Sequence, residues 1–321
     1  MRDRSTRGSP MSLQVGVVGA GGFGQAIARA AARQEHDVVL WSRRERSVPE
    51  SIRASTNIDD MKDRDVIFLA APARHATSIA DQLGKVVDGR HLIVHVSRGL
   101  IGAELKTITT VLREHTAARR LGALAGPLVP NALAEGRPSG AILGTMFPEV
   151  TEMVREAIGG MELRIYDTTD VLGVQLASAT VGFLTVVLAY AQATGVEPST
   201  LAVLATRGMV EISRIGQALG ASEETFMGLA GLGDLIAAVA GDERAESLVG
   251  RALARGAELA SAVAEAGAYV EGVEVAEHMI EQAHRLGLQT PISSVFVEIS
   301  NRRMTPEDAL HALMERRVGP E

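Results

Sequence analysis

Apolar positions along the chain follow two different periodicities. In the first half, short runs rich in valine, isoleucine and leucine alternate with stretches whose apolar residues recur at helical spacing, such as 23–34 and 75–83. The apolar runs predict strands over 13–20, 37–41, 65–72, 91–97, 121–127, 139–145 and 161–167. Strands that alternate with helices indicate an α/β fold, a Rossmann-type doubly wound, mostly parallel sheet with helices on both faces.

Beyond residue 170 the pattern predicts only helices. They are expected over 171–194, 198–219, 222–239, 243–255, 258–266, 271–286, 291–302 and 306–316. The change predicts an all-α second domain. We therefore expect a disordered tail over 1–12, a dinucleotide-binding domain over 13–169 and a helical domain over 170–321.

One helical stretch is apolar enough to raise the question of a membrane. Residues 171–196 carry no charge, and the stretch is long enough to span a bilayer. Gln175, Thr180 and Gln192 dilute its hydrophobicity, however, and no basic residues flank it. The pattern therefore favours a helix buried at the domain junction, in a protein without a membrane partner.

Composition and charge exclude several functions. The net charge is −7, which argues against a nucleic-acid partner. The absence of cysteine excludes disulfides, thiolate metal sites and a cysteine nucleophile, so we expect no metal and take the cytoplasm as the default location. Lysine occurs only at Lys62, Lys85 and Lys106, so no lysine can act as a base in the second domain.

The first predicted strand ends in a glycine-rich loop that opens a helix. Gly19, Gly21, Gly22, Phe23 and Gly24 form the pattern G-x-G-x-x-G together with Ala20. The first glycine permits a tight turn, the second allows the backbone to approach a pyrophosphate, and the last lets the helix pack on the strand. The loop predicts dinucleotide binding, and the alternative is a glycine-rich turn without a ligand.

The residues after the second strand bear on the choice of cofactor. Ser42, Arg43 and Arg44 follow this strand, and the first acidic residue after the strand is Glu45. An acidic side chain here would bind a ribose 2′-hydroxyl, whereas an arginine accepts a 2′-phosphate. NADP is therefore favoured, with NAD possible. Alternatively, one arginine is solvated and the other stacks on the adenine.

Several longer stretches resemble the NAD(P)-dependent glycerol-3-phosphate dehydrogenases. The resemblance spans roughly 13–316 and is carried by GAGGFGQAIA (19–28), VSRGL (96–100), AGP (125–127), TRGMVEISRIGQALGA (206–221), TFMGLAGLGDL (225–235) and VEG (270–272). It implies a cytoplasmic homodimer whose helical domain binds a small-molecule substrate against the dinucleotide-binding domain. The implied reaction is hydride transfer between the nicotinamide and dihydroxyacetone phosphate or glycerol 3-phosphate.

The resemblance also implies roles for individual residues. Arg98 and Asp234 would be catalytic, although Arg98 could be a surface residue and Asp234 a helix cap. The cofactor would contact Arg98, Pro130, Arg244, Val270 and Glu271, besides the glycine loop and 42–44. The substrate would contact Gly126, Val181, Gly182, Asp234 and Arg244. His75 and His95 are further candidate proton donors, but structural roles are commoner for such histidines.

The departures from the family pattern concern the chemistry. The family has a lysine and an asparagine where this chain has Val181 and Gly182, and an arginine and an asparagine where it has Ala245 and Glu246. Reduction of a ketone builds negative charge on oxygen, which a cation or proton donor must meet, and Val181 can provide neither. Two alternatives therefore stay open: a dehydrogenase for a less anionic carbonyl compound, and a nicotinamide-binding protein with little catalysis.

Overall fold

A single sheet occupies the first half of the chain. The computed structural model describes residues 12–241, 244–267 and 270–315, and of the predicted tail only Ser12 is among them. The strands within these ranges are β1 (Gln14–Val18), β2 (Asp37–Trp41), β3 (Arg53–Ser55), β4 (Val66–Leu69), β5 (Leu92–His95), β6 (Arg120–Ala125), β7 (Ser139–Thr145) and β8 (Leu163–Thr168). The spatial order is β3-β2-β1-β4-β5-β6-β7-β8, and the predicted fold class is confirmed.

The strand order creates the edge at which ligands bind in such folds. All neighbouring strands are parallel except β6 and β7, which are antiparallel. β1 lies between β2 and β4, and its last residue, Val18, pairs with Trp41 on one side and Leu69 on the other. The loops that follow these three strands therefore begin level with one another, at the topological switch point of the sheet.

Helices cover both faces of the sheet. They are α1 (Gly22–Arg33), α2 (Ala76–Leu83), α3 (Ile108–His115), α4 (Pro130–Ala134) and α5 (Pro148–Ile158). The sequence pattern did not predict β3, α3, α4 or α5. β3 is a short edge strand without a buried residue, and α3 contains β-branched residues that have low helix propensity.

The second half of the chain is helical and is arranged around one buried helix. Its helices are α6 (Val171–Ala193), α7 (Pro198–Ala218), α8 (Glu223–Met227), α9 (Asp234–Ala240), α10 (Ala245–Ala254), α11 (Leu259–Glu265), α12 (Gly272–Arg285), α13 (Pro291–Ser300) and α14 (Pro306–Met314). α6 is long and apolar enough to cross a bilayer, but 89% of its most apolar window is buried. Its apolar surface therefore packs against protein, chiefly α7, α10 and α12.

The predicted continuous helix over 222–239 is wrong. A π-helical segment, Leu229–Gly233, separates α8 from α9. The sequence here is rich in glycine, which weakens helix propensity, and a Cβ at Gly231 would lie 1.9 Å from the Phe226 carbonyl oxygen. The close turn brings Asp234 to the first position of α9. Such π-helical turns often occur at functional sites.

One carboxylate fastens the start of α6 to the segment that begins α8. Asp170 lies between β8 and α6, and its Oδ1 accepts a hydrogen bond from the Gly173 N–H at 2.8 Å. Its Oδ2 accepts from the Ser222 N–H at 2.9 Å and from the Thr225 hydroxyl at 2.6 Å. The predicted domain boundary at 169/170 falls just before Asp170 and stays a prediction.

Candidate functional site

Two glycines of the loop after β1 are required by the packing of the protein itself. Gly19 has φ +115°, and its N–H donates to the Trp41 carbonyl oxygen at 2.9 Å. A Cβ at Gly19 would lie 2.4 Å from the Ala70 carbonyl oxygen, and one at Gly24 would lie 1.8 Å from the Gly19 carbonyl oxygen. Larger residues would therefore separate α1 from the strands on which it packs.

Gly21 is different, because the protein leaves space beside it. A Cβ built at this exposed residue meets no described atom within 4 Å. Gly21 is the N-cap of α1, and neither a capping side chain nor an acidic residue in the first turn satisfies the helix N-terminus. Gly22 and Phe23 begin the helix, and Pro130 of α4 borders Gly22. The backbone amides and the adjacent space fit the pyrophosphate of a dinucleotide.

The basic loop after β2 lies beside the glycine loop. The Ser42 N–H donates to the Ser55 carbonyl oxygen at 3.0 Å, and the Ser42 hydroxyl donates to the Arg44 carbonyl oxygen. These bonds hold the backbone of the loop, while Arg43 and Arg44 extend into solvent. The loop therefore presents two arginines at the edge where a Rossmann-type fold binds the adenosine ribose.

Three predicted site residues meet across the two halves of the chain. Arg98, in the loop after β5, forms an ion pair with Asp234, with Nη1 2.8 Å from Oδ2 and Nη2 3.2 Å from Oδ1. Arg244 approaches the same carboxylate, with Nη2 2.9 Å from Oδ1. Asp234 is wholly buried. The second donor of Arg244, Nη1, is also buried and has no hydrogen-bond partner in the part of the chain that the structure describes.

A second carboxylate influences this cluster. Burial lowers the pKa of Arg98, but the charges of Asp234 and Glu246 outweigh that effect and raise the pKa above its ordinary value. A Cβ built at Gly182 would lie 3.7 Å from Glu246 Oε1. The site therefore contains two guanidinium groups and two carboxylates, and Gly182 leaves an opening beside Glu246.

Val181 lies in the apolar core of the helical half. Its side chain has no exposed surface, and it packs with residues such as Leu184 and Met209. The neighbouring Thr180 hydroxyl donates to the Leu176 carbonyl oxygen at 2.9 Å and so stays within its own helix. The predicted substrate contacts of Val181 and Gly182 stay predictions.

Glu271 joins the helical half to the sheet. Its Oε1 accepts a hydrogen bond from the Ala73 N–H at 2.6 Å, at the start of the short 3-10 turn that precedes α2. Burial raises the pKa of Glu271 to about 7. A Cβ at Gly272 would lie 2.8 Å from the Phe183 nitrogen, so glycine is what lets this segment lie against α6. The predicted ribose contact of Glu271 stays a prediction, as does a cofactor contact of the buried Val270.

His95 makes a buried connection that sequence reasoning only partly anticipated. Its Nε2 lies 2.9 Å from Gln175 Oε1, and that oxygen also accepts from the Thr109 N–H at 3.1 Å. Burial lowers the pKa of His95 to about 4, so the ring is neutral near pH 7. His95 therefore ties the sheet to α6, and Gln175, taken from the sequence only as a polar break in an apolar helix, is its partner.

The loop after β6 completes the border between the halves. Gly126 has φ +115°, and a Cβ there would lie 3.5 Å from the Leu229 carbonyl oxygen of the π-helical segment. The loop after β6 therefore lies against the π-helical segment that directly precedes Asp234. Among the described residues, no group of three or more histidine, aspartate or glutamate side chains could bind a metal.

The fold and this arrangement define a Rossmann-type nucleotide-binding protein with a helical second half. The family model of the NAD-dependent glycerol-3-phosphate dehydrogenase C-terminus matches residues 170–311, and a model described as NADP oxidoreductase coenzyme F420-dependent matches 14–99. The glycerol-3-phosphate dehydrogenase [NAD(P)+] of Maricaulis maris is 31% identical, over 94% of this chain and 96% of that relative. That of Stenotrophomonas maltophilia is also 31% identical, over 96% of each chain.

Solved structures agree on the fold. The glycerol-3-phosphate dehydrogenase of Coxiella burnetii has a TM-score of 0.88 at 22% identity, covering 96% of this chain and 100% of that one. The enzyme of Saccharomyces cerevisiae has a TM-score of 0.81 at 20% identity, covering 95% and 100%. The chain belongs to the family of NAD(P)-dependent glycerol-3-phosphate dehydrogenases, which confirms the predicted resemblance.

Proposed function

We propose that this chain is an NAD(P)-dependent oxidoreductase acting on a CH–OH group, with dihydroxyacetone phosphate and glycerol 3-phosphate as its substrate pair. The observation that carries the proposal is the cluster in which Arg98 reaches across to Asp234 and Arg244. The buried Arg244 Nη1 is a donor with no described partner, and an anionic substrate would satisfy it.

The residues of the glycine loop hold the cofactor in this proposal. The amides at the start of α1 bind the pyrophosphate, and Gly21 leaves the space that it needs. The bound nicotinamide supplies or accepts the hydride. Arg43 and Arg44 bind the 2′-phosphate, so NADP is preferred and NAD is the weaker cofactor. Arg98, Val270 and Glu271 complete the cofactor contacts in the same proposal.

Arg98 stabilises charge rather than transferring a proton. Its raised pKa keeps the guanidinium charged, which suits an electrostatic partner for the negative charge that develops on the carbonyl oxygen. Asp234 orients Arg98 through two contacts from the first turn of α9. Val181 cannot serve as the acid, and the helical half contains no lysine. We therefore expect slow turnover.

A second candidate function follows from Glu246. This carboxylate lies beside Gly182 and near Arg98, so its charge opposes a phosphate dianion in the same region. On this one observation alone, a less anionic carbonyl compound would be the substrate. In that case Glu246 would accept a hydrogen bond from a hydroxyl group of the substrate.

An assay of NADPH oxidation tests both candidates. Dihydroxyacetone phosphate and unphosphorylated dihydroxyacetone would be compared as substrates of the wild type and of Glu246→Gln. Higher kcat/KM for the phosphate ester supports the first candidate, and higher kcat/KM for the unphosphorylated ketone supports the second. NADPH binding without oxidation of either compound would instead indicate a nicotinamide-binding protein with little catalysis.

Assembly and location form part of the proposal. An apolar groove lined by Val187, Tyr190, Leu204, Phe296 and Leu313 supports a homodimer, because contiguous apolar surface of this kind is often covered by another subunit. Sedimentation equilibrium across a range of concentrations tests this expectation. A cytoplasmic location is proposed as well, and fractionation of cells tests it.

A further inference from the structure

A second basic pair borders the glycine loop from the side opposite to Arg43. Because Val18 pairs with both Trp41 and Leu69, the loops after β2 and β4 leave the sheet level with each other and flank the loop after β1. The loop after β4 continues into the 3-10 turn Ala73–His75, which carries Arg74 and His75. This turn therefore faces the edge at which the adenosine end of a dinucleotide would lie.

Two basic side chains of this turn are in contact, and the charge of a third acts on them from the neighbouring loop. Arg74 Nε donates a hydrogen bond to His75 Nε2 at 3.2 Å. Burial, and then the charges of Arg43 and Arg74, lower the pKa of His75 below its ordinary value, so Arg43 of the neighbouring loop acts on the same imidazole. Glu271 faces the turn and partly balances its charge: its Oε1 accepts from the Ala73 N–H at 2.6 Å, and the charge of Arg74 acts on the same carboxyl.

The arrangement is electrostatically incomplete. Arg43 forms no ion pair with any described residue, and the charge of Arg74, which Glu271 partly balances, lies on the other side of the neutral His75 imidazole. Like charges held at one place repel each other, and an anion placed between them turns the repulsion into attraction. A phosphate monoester is suited to such a site, because its oxygens accept charge-assisted hydrogen bonds from several directions.

We propose that Arg74 and His75, together with Arg43, form a two-sided anion site that binds the 2′-phosphate of NADP. The proposal rests on the proposed function and adds to it residues from the loop after β4, which the glycine pattern and the arginines after β2 do not indicate. Arg43 approaches the phosphate from the β2 side, and His75 approaches it from the β4 side. Arg74 orients the imidazole and adds charge.

Calorimetric titration with two adenosine fragments tests the proposal. Adenosine 2′,5′-bisphosphate carries the 2′-phosphate, whereas adenosine 5′-monophosphate lacks it and otherwise makes the same contacts. The wild type is expected to bind the bisphosphate about tenfold more tightly or better, as a charge-assisted contact implies. His75→Asn and Arg74→Gln should each reduce this ratio several-fold while leaving the affinity for the monophosphate unchanged.

The pH dependence supplies a second readout. A phosphate bound beside His75 favours the protonated imidazole, whose Nε2 then no longer accepts from Arg74, so binding takes up a proton. The ratio of wild-type to His75→Asn affinity for the bisphosphate should therefore increase as the pH falls from 8 to 6. Titration of the phosphate itself affects both proteins alike and cancels in the ratio. Arg285→Gln, an exposed substitution on α12, is the control for the loss of one positive charge.

The outcomes separate this proposal from the proposed function. If NADPH binds but His75→Asn and Arg74→Gln leave the fragment ratio unchanged, the two-sided site is wrong and the cofactor assignment stands. A loss of discrimination in Arg43→Gln alone would likewise overturn the two-sided site. If the wild type binds neither NADPH nor either fragment, both proposals fail. Thermal unfolding identifies any misfolded variant, and His75→Asn decides should Arg74→Gln not fold.

Discussion

The glycine loop and the cluster around Asp234 are two binding regions built in different ways. In the loop, backbone geometry makes the site: Gly19 and Gly24 permit a close approach of chain segments, and Gly21 leaves space for a ligand. Around Asp234, charged side chains form the site, and the backbone only positions these side chains. A site made by backbone restricts the sequence strongly, whereas one made by side chains can change its chemistry while the fold persists.

The helical half illustrates the second case. Gly231 still allows the π-helical turn that presents Asp234, and Gly272 still allows the segment of Glu271 to lie against α6. On this scaffold, Val181, Gly182 and Glu246 occupy positions where the resemblance implies other side chains. The fold is that of the family, and the resemblance implies that some of the chemical groups on it differ.

The largest expected effect comes from restoring the family side chains on α6. Val181→Lys combined with Gly182→Asn should raise kcat for dihydroxyacetone phosphate by about 10²–10⁴-fold, because it supplies a general acid. Glu246, which lies beside the neighbouring Gly182, provides negative charge on this side of α6. NADPH oxidation under saturating cofactor measures the change.

Val181→Met with Gly182→Asn is the matched control, since it fills similar volume without a charge. Fast turnover by the wild type would contradict the prediction, because it would show that Val181 does not disable the reaction. A gain in the methionine control equal to that of the lysine variant would contradict it as well.

The next largest effect is expected for the buried carboxylate. Asp234→Asn leaves Arg98 and Arg244 without their shared partner and should lower the free energy of unfolding by about 3–5 kcal/mol. Asp81→Asn is the control, because its pair with His115 involves a carboxylate that is 60% exposed, where about 0–1 kcal/mol is expected. Urea denaturation measures both, and equal losses would refute a special role for burial.

The predictability of each region follows from the same contrast. The glycine loop and the described strands other than β3 could be predicted because apolar runs and glycines reflect backbone requirements. The contact between Arg98 and Asp234 could not be derived from spacing, because it joins residues far apart in sequence through the packing of two halves. The π-helical segment was missed because helical periodicity continues across it, and Gln175 because a polar residue in an apolar helix has no specific partner in a sequence.

A smaller effect concerns the connection made by Glu271. Its pKa is raised from 4.5 to about 7 in the folded protein, so the fold favours the protonated carboxyl. As far as this group is concerned, the free energy of unfolding is therefore greatest below about pH 4.5. It falls by up to about 3 kcal/mol in all as the pH rises through about 7. Glu271→Gln should remove this slope.

Urea denaturation of both proteins between pH 4.5 and 8 measures the difference. Glu135→Gln serves as the control, because the side chain of Glu135 is 62% exposed and its replacement should leave the slope unchanged. Parallel curves for the wild type and Glu271→Gln would show that burial of this carboxyl does not couple the two halves to pH.

The smallest change in free energy is expected at Gly21, and it distinguishes the two kinds of glycine in one loop. A Cβ at position 21 meets no described atom within 4 Å, so Gly21→Val should lower the melting temperature only slightly, through the poorer N-cap. The valine fills the space required by a pyrophosphate, so the affinity for NADPH should fall about tenfold or more. Gly24→Val should instead lower the melting temperature, since its Cβ would overlap the Gly19 carbonyl oxygen. Calorimetry and thermal unfolding separate the two effects, and undiminished NADPH affinity in Gly21→Val would remove the glycine loop from the cofactor site.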